Sequence, residues 1–437
     1  MLTTLKNVFK IKDLRKKLFY TLMMLVVIRI GSQLPIPGIN ADYFKSWFAS
    51  QAGGAFSFFN AITGGSFENM SILALNINPY ITSSIIIQLL TIAIPKLEEM
   101  QRDGEDGKKK LAAITRYVTV GLALIQATAM SIGFGRSGLL VDYNAMSVIT
   151  AVATMTAGSA FLMWVGERIT ENGIGNGISI VLVINIISRI PTDLANLFQQ
   201  FVIGKAPATA VLAAVIIFAI IILMVVLVII LNDATRKIPV QYAKKMQGRK
   251  MVGGQTSNIP MKVNTSGVIP VIFAQSIMQF PIIICSFAGY EGTGFWGHIL
   301  KGLDGSNWCN PSQPVYTIGL LVYIALIIFF AYFYTSITFN PIMIADNMKK
   351  QGGFIPGIRP GKPTSDYLNK VLNYIVIIGA IGLTIIAVIP YIFSGVFKAS
   401  VSFAGTSLII IVSVILETMK QVESQMLVRN YKGFLND

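Results

Sequence analysis

The side chains that could do chemistry in this chain are few, and most of them are amides. Asn76, Asn78, Gln88, Gln126, Asn185, Gln275 and Gln279 fall inside long apolar runs. No Asp or Glu lies near the middle of such a run; Glu167 and Glu417 stand at run ends. Ion-coupled transporters usually need ionisable groups buried at that depth. The residue set therefore favours a passive conduit driven by partners, although amides that only bond neighbouring helices would look the same. His298 is the only histidine. Cys285, in an apolar run, and Cys309, in a polar loop, are expected to be free. These residues make no nucleophile pair and no metal cluster, so we expect no enzyme, no cofactor and no metal. Gly133 to Gly138 matches a dinucleotide-binding pattern but opens no βαβ unit. Gly104 to Lys108 lacks the spacing and the Ser/Thr of a phosphate loop.

The stretch from Phe59 to Ile94 must hold several of these polar groups. From about Ser71 it is apolar enough to enter a membrane. Before that, Thr63, Gly64, Gly65, Ser66, Glu68 and Asn69 are polar or flexible. Asn76, Asn78, Pro79, Thr82, Ser83 and Ser84 then interrupt the apolar run. Lipid cannot satisfy such groups, so irregular backbone at that depth must be buried in protein or line a wet cavity. A broken helix at the centre of a bundle fits this, and so does an outer loop entering an ordinary span.

Composition places the whole chain in a membrane. Of 437 residues, 54% are hydrophobic and 13% charged, against roughly 25% charged in soluble domains. We expect ten spans, at about 18–34, 72–94, 111–133, 146–165, 178–190, 208–231, 267–288, 315–339, 371–393 and 402–419. The net charge of +15 is concentrated in every second loop. Loop 95–110 holds Lys96, Arg102, Lys108, Lys109 and Lys110; loops 232–266 and 340–370 are also basic. The positive-inside rule then puts both termini in the cytoplasm. Lys6 to Lys17 followed by an apolar run imitates a signal peptide, but no cleavage site follows and Arg29 interrupts the run, so it reads as an uncleaved first span. Ile238, Val240 and Tyr242 alternate like a strand, with Gly253-Gly254 able to turn it back. Five spans per half is odd, so a second set would enter inverted; the expected halves are 1–203 and 204–437.

Motifs along the chain carry a resemblance. They are Ile28-Arg29-Ile30-Gly31, Pro35-Ile36-Pro37-Gly38, Asn78-Pro79-Tyr80-Ile81-Thr82 and Gln88-Leu89-Leu90. Gly166 to Thr170, Gly173 to Ser179, Gln241-Tyr242-Ala243, Gly267 to Pro270, Phe354 to Gly361 and Gly405 to Leu408 complete the set. With these the chain resembles the SecY family, the channel subunits of the bacterial Sec protein translocase. One local departure is the uncharged run Ile342, Met343, Ile344, Ala345 before Asp346.

The resemblance implies an all-α membrane protein: ten transmembrane helices in two inverted five-helix halves around an hourglass pore. It implies secretion of unfolded polypeptides across, and lateral insertion of membrane proteins into, the bacterial plasma membrane. The driver would be a docked SecA motor or a translating ribosome. It places a pore ring at Ile77, Ile81, Ile178, Leu182, Ile272 and Ile410. A plug over about 60–70 includes Asn60, Gly64, Gly65 and Phe67 and is expected to add little to helix packing. A lateral gate to lipid is placed at Thr82, Gln88 and Phe280. Partner docking falls on Arg236, Lys237, Lys244, Lys245, Arg249, Lys250 and Arg359, where cations would neutralise ribosomal RNA phosphates. SecE and usually SecG are the implied small subunits, with signal peptides and nascent polypeptides as cargo and the lipid bilayer as surroundings. The competing class is an ion-coupled small-molecule transporter, which the missing intramembrane acids and the Pro/Gly-shaped basic loops disfavour. An intramembrane enzyme would need a catalytic pair that the spans lack.

Overall fold

The computed structural model describes residues 11–50, 60, 62–203, 207–242, 245–247, 250–252, 256–287, 294–397 and 406–433. It is mainly helical: α1 (Lys12–Gly31), α2 (Ala41–Ser50), α3 (Asn78–Ala93), α4 (Pro95–Arg102), α5 (Gly104–Phe134), α6 (Ala145–Asn172) and α7 (Gly177–Phe201). Then come α8 (Pro207–Asp233), α9 (Ile269–Phe287), α10 (Gly294–Leu303), α11 (Ile318–Thr338), α12 (Pro341–Lys350), α13 (Lys362–Phe397) and α14 (Thr406–Gly433). Among the described residues, six helices are long and apolar enough to cross a membrane, or seven if a bent pair counts as one span. That pair is Asn78–Ala93 with Pro95–Gln101, bent by 108° at Ile94 and Pro95. The chain is a multi-pass membrane protein.

Two local features differ from the expected span ends. Ser71 forms a β-bridge with Pro35, residues 72–77 are turns, and helix begins only at Asn78 with Pro79 in its first turn. Asn76 has φ +52°, a left-handed conformation that Asn tolerates better than most residues. α3 is therefore only 16 residues long, about 24 Å. Conversely, α7 does not stop before Pro191 but runs through it to Phe201. Its last turns are held by packing: Leu197 is buried, and Ile190, Leu194 and Phe201 join it with Ile217 and Ile221 of α8. That burial offsets the hydrogen bond the proline removes.

The core is divided. One cluster draws on α8, α9, α11, α13 and α14, including Val228, Ala274, Tyr323 and Ile386. A second joins Ile36, Phe44, Phe67 and Met70 to α5 and α6. A third joins α1, α6, α7 and α14. α14 serves two of them: Leu408, Ile409 and Val412 enter the first, Ile410 and Ile411 the third. Successive residues of a helix face different directions, so one helix can pack on both bodies.

Strands fill the two long basic loops. β1 (Thr235–Tyr242) pairs antiparallel with β4 (Thr256–Lys262), from Thr235↔Lys262 to Gln241↔Thr256. Between them β2 (Lys245–Gln247) pairs with β3 (Lys250–Val252); Gly253-Gly254 lies outside the described residues. β5 (Gly353–Phe354), from the second loop, adds to β1 through Gln241↔Phe354 and Tyr242↔Gly353. Ile238 and Val240 point into a cluster with Ile355, Leu368 and Leu372. The period-2 alternation of β1 buries one face on α13 while Arg236 and Lys237 stay exposed. Pro239 and Pro260 suit so small a sheet, because prolines blunt open edges.

Candidate functional site

Six branched aliphatic side chains meet where α3, α7, α9 and α14 approach one another. Ile77, Leu182 and Ile410 are buried, and Ile81, Ile178 and Ile272 pack half-buried into the same cluster. Ile178 and Leu182 are spaced i, i+4 on α7 and present a single face, and Ile77, the N-cap of α3, stands four residues before Ile81 of that helix. The start of α7 is held by Asn176, whose Oδ1 accepts from Ile178 N at 3.1 Å and Ser179 N at 3.3 Å. Such a cluster offers a passing chain no polar partner, and a narrow apolar constriction excludes ions by dewetting.

Against it lies the segment 60–76. Gly64 and Gly65 have φ +65° and +84°. A Cβ on Gly64 would stand 2.7 Å from Asn185 O on α7, so only glycine allows this approach. Asn60, 1% exposed, donates from Nδ2 to Glu68 Oε2 at 2.8 Å and accepts from Glu68 N at 3.2 Å. Phe67 is not loosely held. It is buried and meets Phe44 edge-on at 5.2 Å and Phe48 at 6.3 Å. Met70 is fully buried in the same cluster. The expectation that this segment adds little to helix packing is therefore corrected: an aromatic anchor of this kind is worth more than a surface loop.

Asn76 ties the segment to the helices. Its Nδ2 donates to Thr63 O at 3.2 Å, and its Oδ1 accepts from Ile77 N at 2.7 Å and Asn185 Nδ2 at 3.2 Å. Ser159 Oγ on α6 donates to Asn76 O at 3.0 Å. Glu68 Oε2 also accepts from Arg189 Nη1 at 2.7 Å. Of the remaining amides, Gln275 Oε1 accepts from Tyr391 OH at 2.7 Å, and Gln126 Oε1 and Asn78 Nδ2 are buried without a partner among the described residues. Sequence reading missed the Arg189–Glu68 pair; its only signal was an arginine at the end of an apolar run.

Thr82, Gln88 and Phe280 are all exposed, Phe280 by 65%. Thr82 Oγ1 bonds within its own helix, to Asn78 O at 3.0 Å. The residues of α3 that pack against the α8–α14 cluster are Ile85 and Leu89, an i, i+4 pair that periodicity could have indicated.

Arg236 and Lys237 are exposed on β1, and Lys245 and Lys250 sit on the β2–β3 pair. Lys244 and Arg249 lie outside the described residues. Arg359 is exposed in a turn between Gly357 (φ +82°) and Gly361 (φ +104°). Thr364 Oγ1 donates to Arg359 O at 2.8 Å, holding that turn on the start of α13. β5 joins this turn to β1, the strand that carries Arg236 and Lys237.

Comparison with known proteins gives the family and the fold. The SecY family model matches residues 71–419. The chain belongs to the SecY family. The protein translocase subunit SecY of Mycobacterium bovis is 42% identical over 455 residues, covering all of both chains. A solved protein-conducting channel superposes with a TM-score of 0.67 at 17% identity, over 94% of this chain and 92% of that one. A second, a SecY structure whose plug domain is described as stabilising the closed state of its channel and maintaining a membrane seal, gives 0.63 at 18% identity and the same coverage. At such identities these structures establish the SecY fold.

Proposed function

We propose that this chain is the central protein-conducting channel of a bacterial Sec translocase, passing unfolded polypeptides across the plasma membrane and releasing apolar segments sideways into lipid. The observation that carries this is the cluster of Ile77, Ile81, Ile178, Leu182, Ile272 and Ile410, drawn from four helices and covered by the segment 60–76. In this reading the six form the pore ring, and Asn60, Gly64, Gly65 and Phe67 belong to the plug. Ten spans in two inverted halves, 1–203 and 204–437, surround an hourglass pore, with α14 shared between the two cores. Thr82, Gln88 and Phe280 lie along the lateral gate, and Ile85 and Leu89 of α3 pack against the α8–α14 cluster beside it. The two basic loops, with Arg236, Lys237, Lys244, Lys245, Arg249 and Lys250 in the first and Arg359 in the second, form one cytoplasmic platform for the SecA motor or a ribosome, supported by the sheet that β1 shares with β5. SecE and SecG are the expected small subunits, and both termini are cytoplasmic.

The test is reconstitution. Vesicles holding this chain with its small subunits and motor should accumulate protease-protected secretory polypeptide on addition of ATP. The same vesicles with two ring residues changed to serine should also leak ions at rest. Absence of both import and altered leak would overturn the channel reading.

A further inference from the structure

We propose that Glu68 and Arg189 form a charge latch that holds the plug on α7 and sets how often the resting pore opens; the proposal rests on the channel reading above. One face of α7 carries, in order, Leu182, Asn185, Ile186 and Arg189, at the i, i+3, i+4, i+7 spacing of a single stripe. Leu182 belongs to the apolar ring, and Ile186 packs with Ile62 in the same cluster. Asn185 lies under Gly64 and bonds Asn76. Arg189 closes the stripe, with Nη1 2.7 Å from Glu68 Oε2. The helix that supplies the constriction is thus also the seat of the plug, and a shift of α7 moves both together.

The ionic contact is placed to be specific rather than diffuse. The two side chains are 21% and 30% exposed, so solvent screens the pair less than a surface pair. Glu68 is held before Arg189 arrives: Asn60 donates to the same Oε2, and the Glu68 N–H returns a bond to Asn60 Oδ1. Gly65 lies close enough that a Cβ there would be 3.4 Å from Arg189 Nη1, so the guanidinium lies along the turn. Arg189 Nε is buried without a hydrogen-bond partner among the described residues. Losing Glu68 would leave this guanidinium in a half-buried position with less compensation. Phe67 against Phe44, and Met70 in the core, tie the C-terminal end of the segment. On α7 the segment is held by the latch, by the Asn76–Asn185 bond, by a long bond from Ser188 Oγ to Gly64 O at 3.5 Å, and by the contacts of Gly64 with Asn185 and of Ile62 with the Ile186 cluster; the latch is the ion pair in this set. Arg189 is accordingly a positioning residue for the plug.

Glu68→Gln keeps an acceptor for Asn60 and removes only the charge, which makes it the cleanest variant. We expect Glu68→Gln and Arg189→Gln each to raise resting single-channel conductance events by about fivefold, the low end of ordinary coupling between two-state elements. The double variant should leak no more than either single one, since both remove the same contact. The swap Glu68→Arg with Arg189→Glu should bring the leak back to within about twofold of the parent, and Arg189→Lys should stay near it. Additive single effects, or a swap that leaks like the singles, would overturn the latch. A chain lacking residues 62–66, which keeps Phe67 and Met70, separates the two readings. If it leaks while Glu68→Gln is tight, the latch is wrong and the plug stands. If it too is tight, the plug reading fails and the latch with it. Should Arg189→Gln fail to fold, Glu68→Gln against the shortened chain still decides.

Discussion

Gln241 and Phe354, 113 residues apart in the numbering, are backbone partners in one sheet. The pairing makes one body of the two basic loops. Ile238 and Val240 of the first are buried against Ile355, Leu368 and Leu372 of the second and the helix after it. A load applied at the Arg359 turn is therefore shared by β1 and β4, and through them by the end of α8. There Asn264 Nδ2 donates to Asn232 Oδ1 at 3.0 Å and Asn232 Nδ2 to Ser413 Oγ at 2.8 Å. Ser413 lies one turn beyond Ile410 on α14.

The first prediction concerns this platform. Arg359→Glu should abolish import at any salt, because truncating or reversing a desolvated charged contact costs roughly 2–5 kcal/mol. Lys244→Ala should matter mainly at low ionic strength, since a diffuse term fades once the Debye length falls to about 8 Å or less. ATP-driven import into vesicles at two salt concentrations separates the effects. Normal import by correctly inserted Arg359→Glu protein would leave these cations with an orienting role alone.

The second concerns the ring. Ile77→Ser combined with Leu182→Ser should raise resting ion conductance, because a hydrated ring no longer dewets. Ile77→Leu should not, since volume and apolarity are kept. Planar-bilayer recording reads both, and equal conductance in the two variants would remove the ring assignment.

Asn76 supports a third, in which two substitutions are compared. Asn76→Ala and Asn76→Gly both lose the side-chain bonds to Thr63, Ile77 and Asn185. At about 0.6 kcal/mol each in a membrane, that loss is roughly 2 kcal/mol. The backbone at φ +52° further penalises alanine by about 1 kcal/mol but not glycine. Thermal unfolding in detergent should therefore rank the parent above Asn76→Gly and Asn76→Ala last. Alanine equal to or above glycine would contradict the left-handed turn.

Asp304, between α10 and α11, supplies a pH dependence. Burial pushes its carboxyl above the usual carboxylate range, against the downward pull of the Ser306 N–H at 3.1 Å. The folded state thus keeps its proton to a higher pH than the unfolded state, for which about 3.9 is ordinary. Between those two values the folded chain binds more protons, so stability falls as pH rises through that window. Asp304→Asn should flatten that slope in melts run upward from about pH 4. An unchanged slope would assign it to other groups.

Topology gives the fifth. In a background lacking Cys285 and Cys309, both free thiols, Gly253→Cys should react with an impermeant reagent only from the cytoplasmic side, and Ser312→Cys only from the other. Reaction of Gly253→Cys from outside alone would invert the orientation.

Much of this molecule is local, and local features are legible in a sequence. The excess of apolar residues, the basic loops at every second turn of the chain, the strand alternation of Ile238, Val240 and Tyr242, and the break around Asn76 and Pro79 each follow from the chemistry of neighbouring residues. The motifs that carry the family are local too. What the tertiary structure alone decided concerns which apolar surface meets protein and which meets lipid. Both surroundings accept leucine and isoleucine equally, so hydropathy could not separate Ile85 and Leu89, which pack across the bundle, from exposed Leu90 and Ile92. Nor could it show that Phe67 and Met70 anchor the segment before α3 in the core, or that packing on α8 carries α7 through Pro191. The pairs Glu68 with Arg189, Asn76 with Asn185 and Gln241 with Phe354 depend on backbone turns that bring distant residues within hydrogen-bonding reach. Such bonds need distances near 3 Å, and only the folded chain sets those distances.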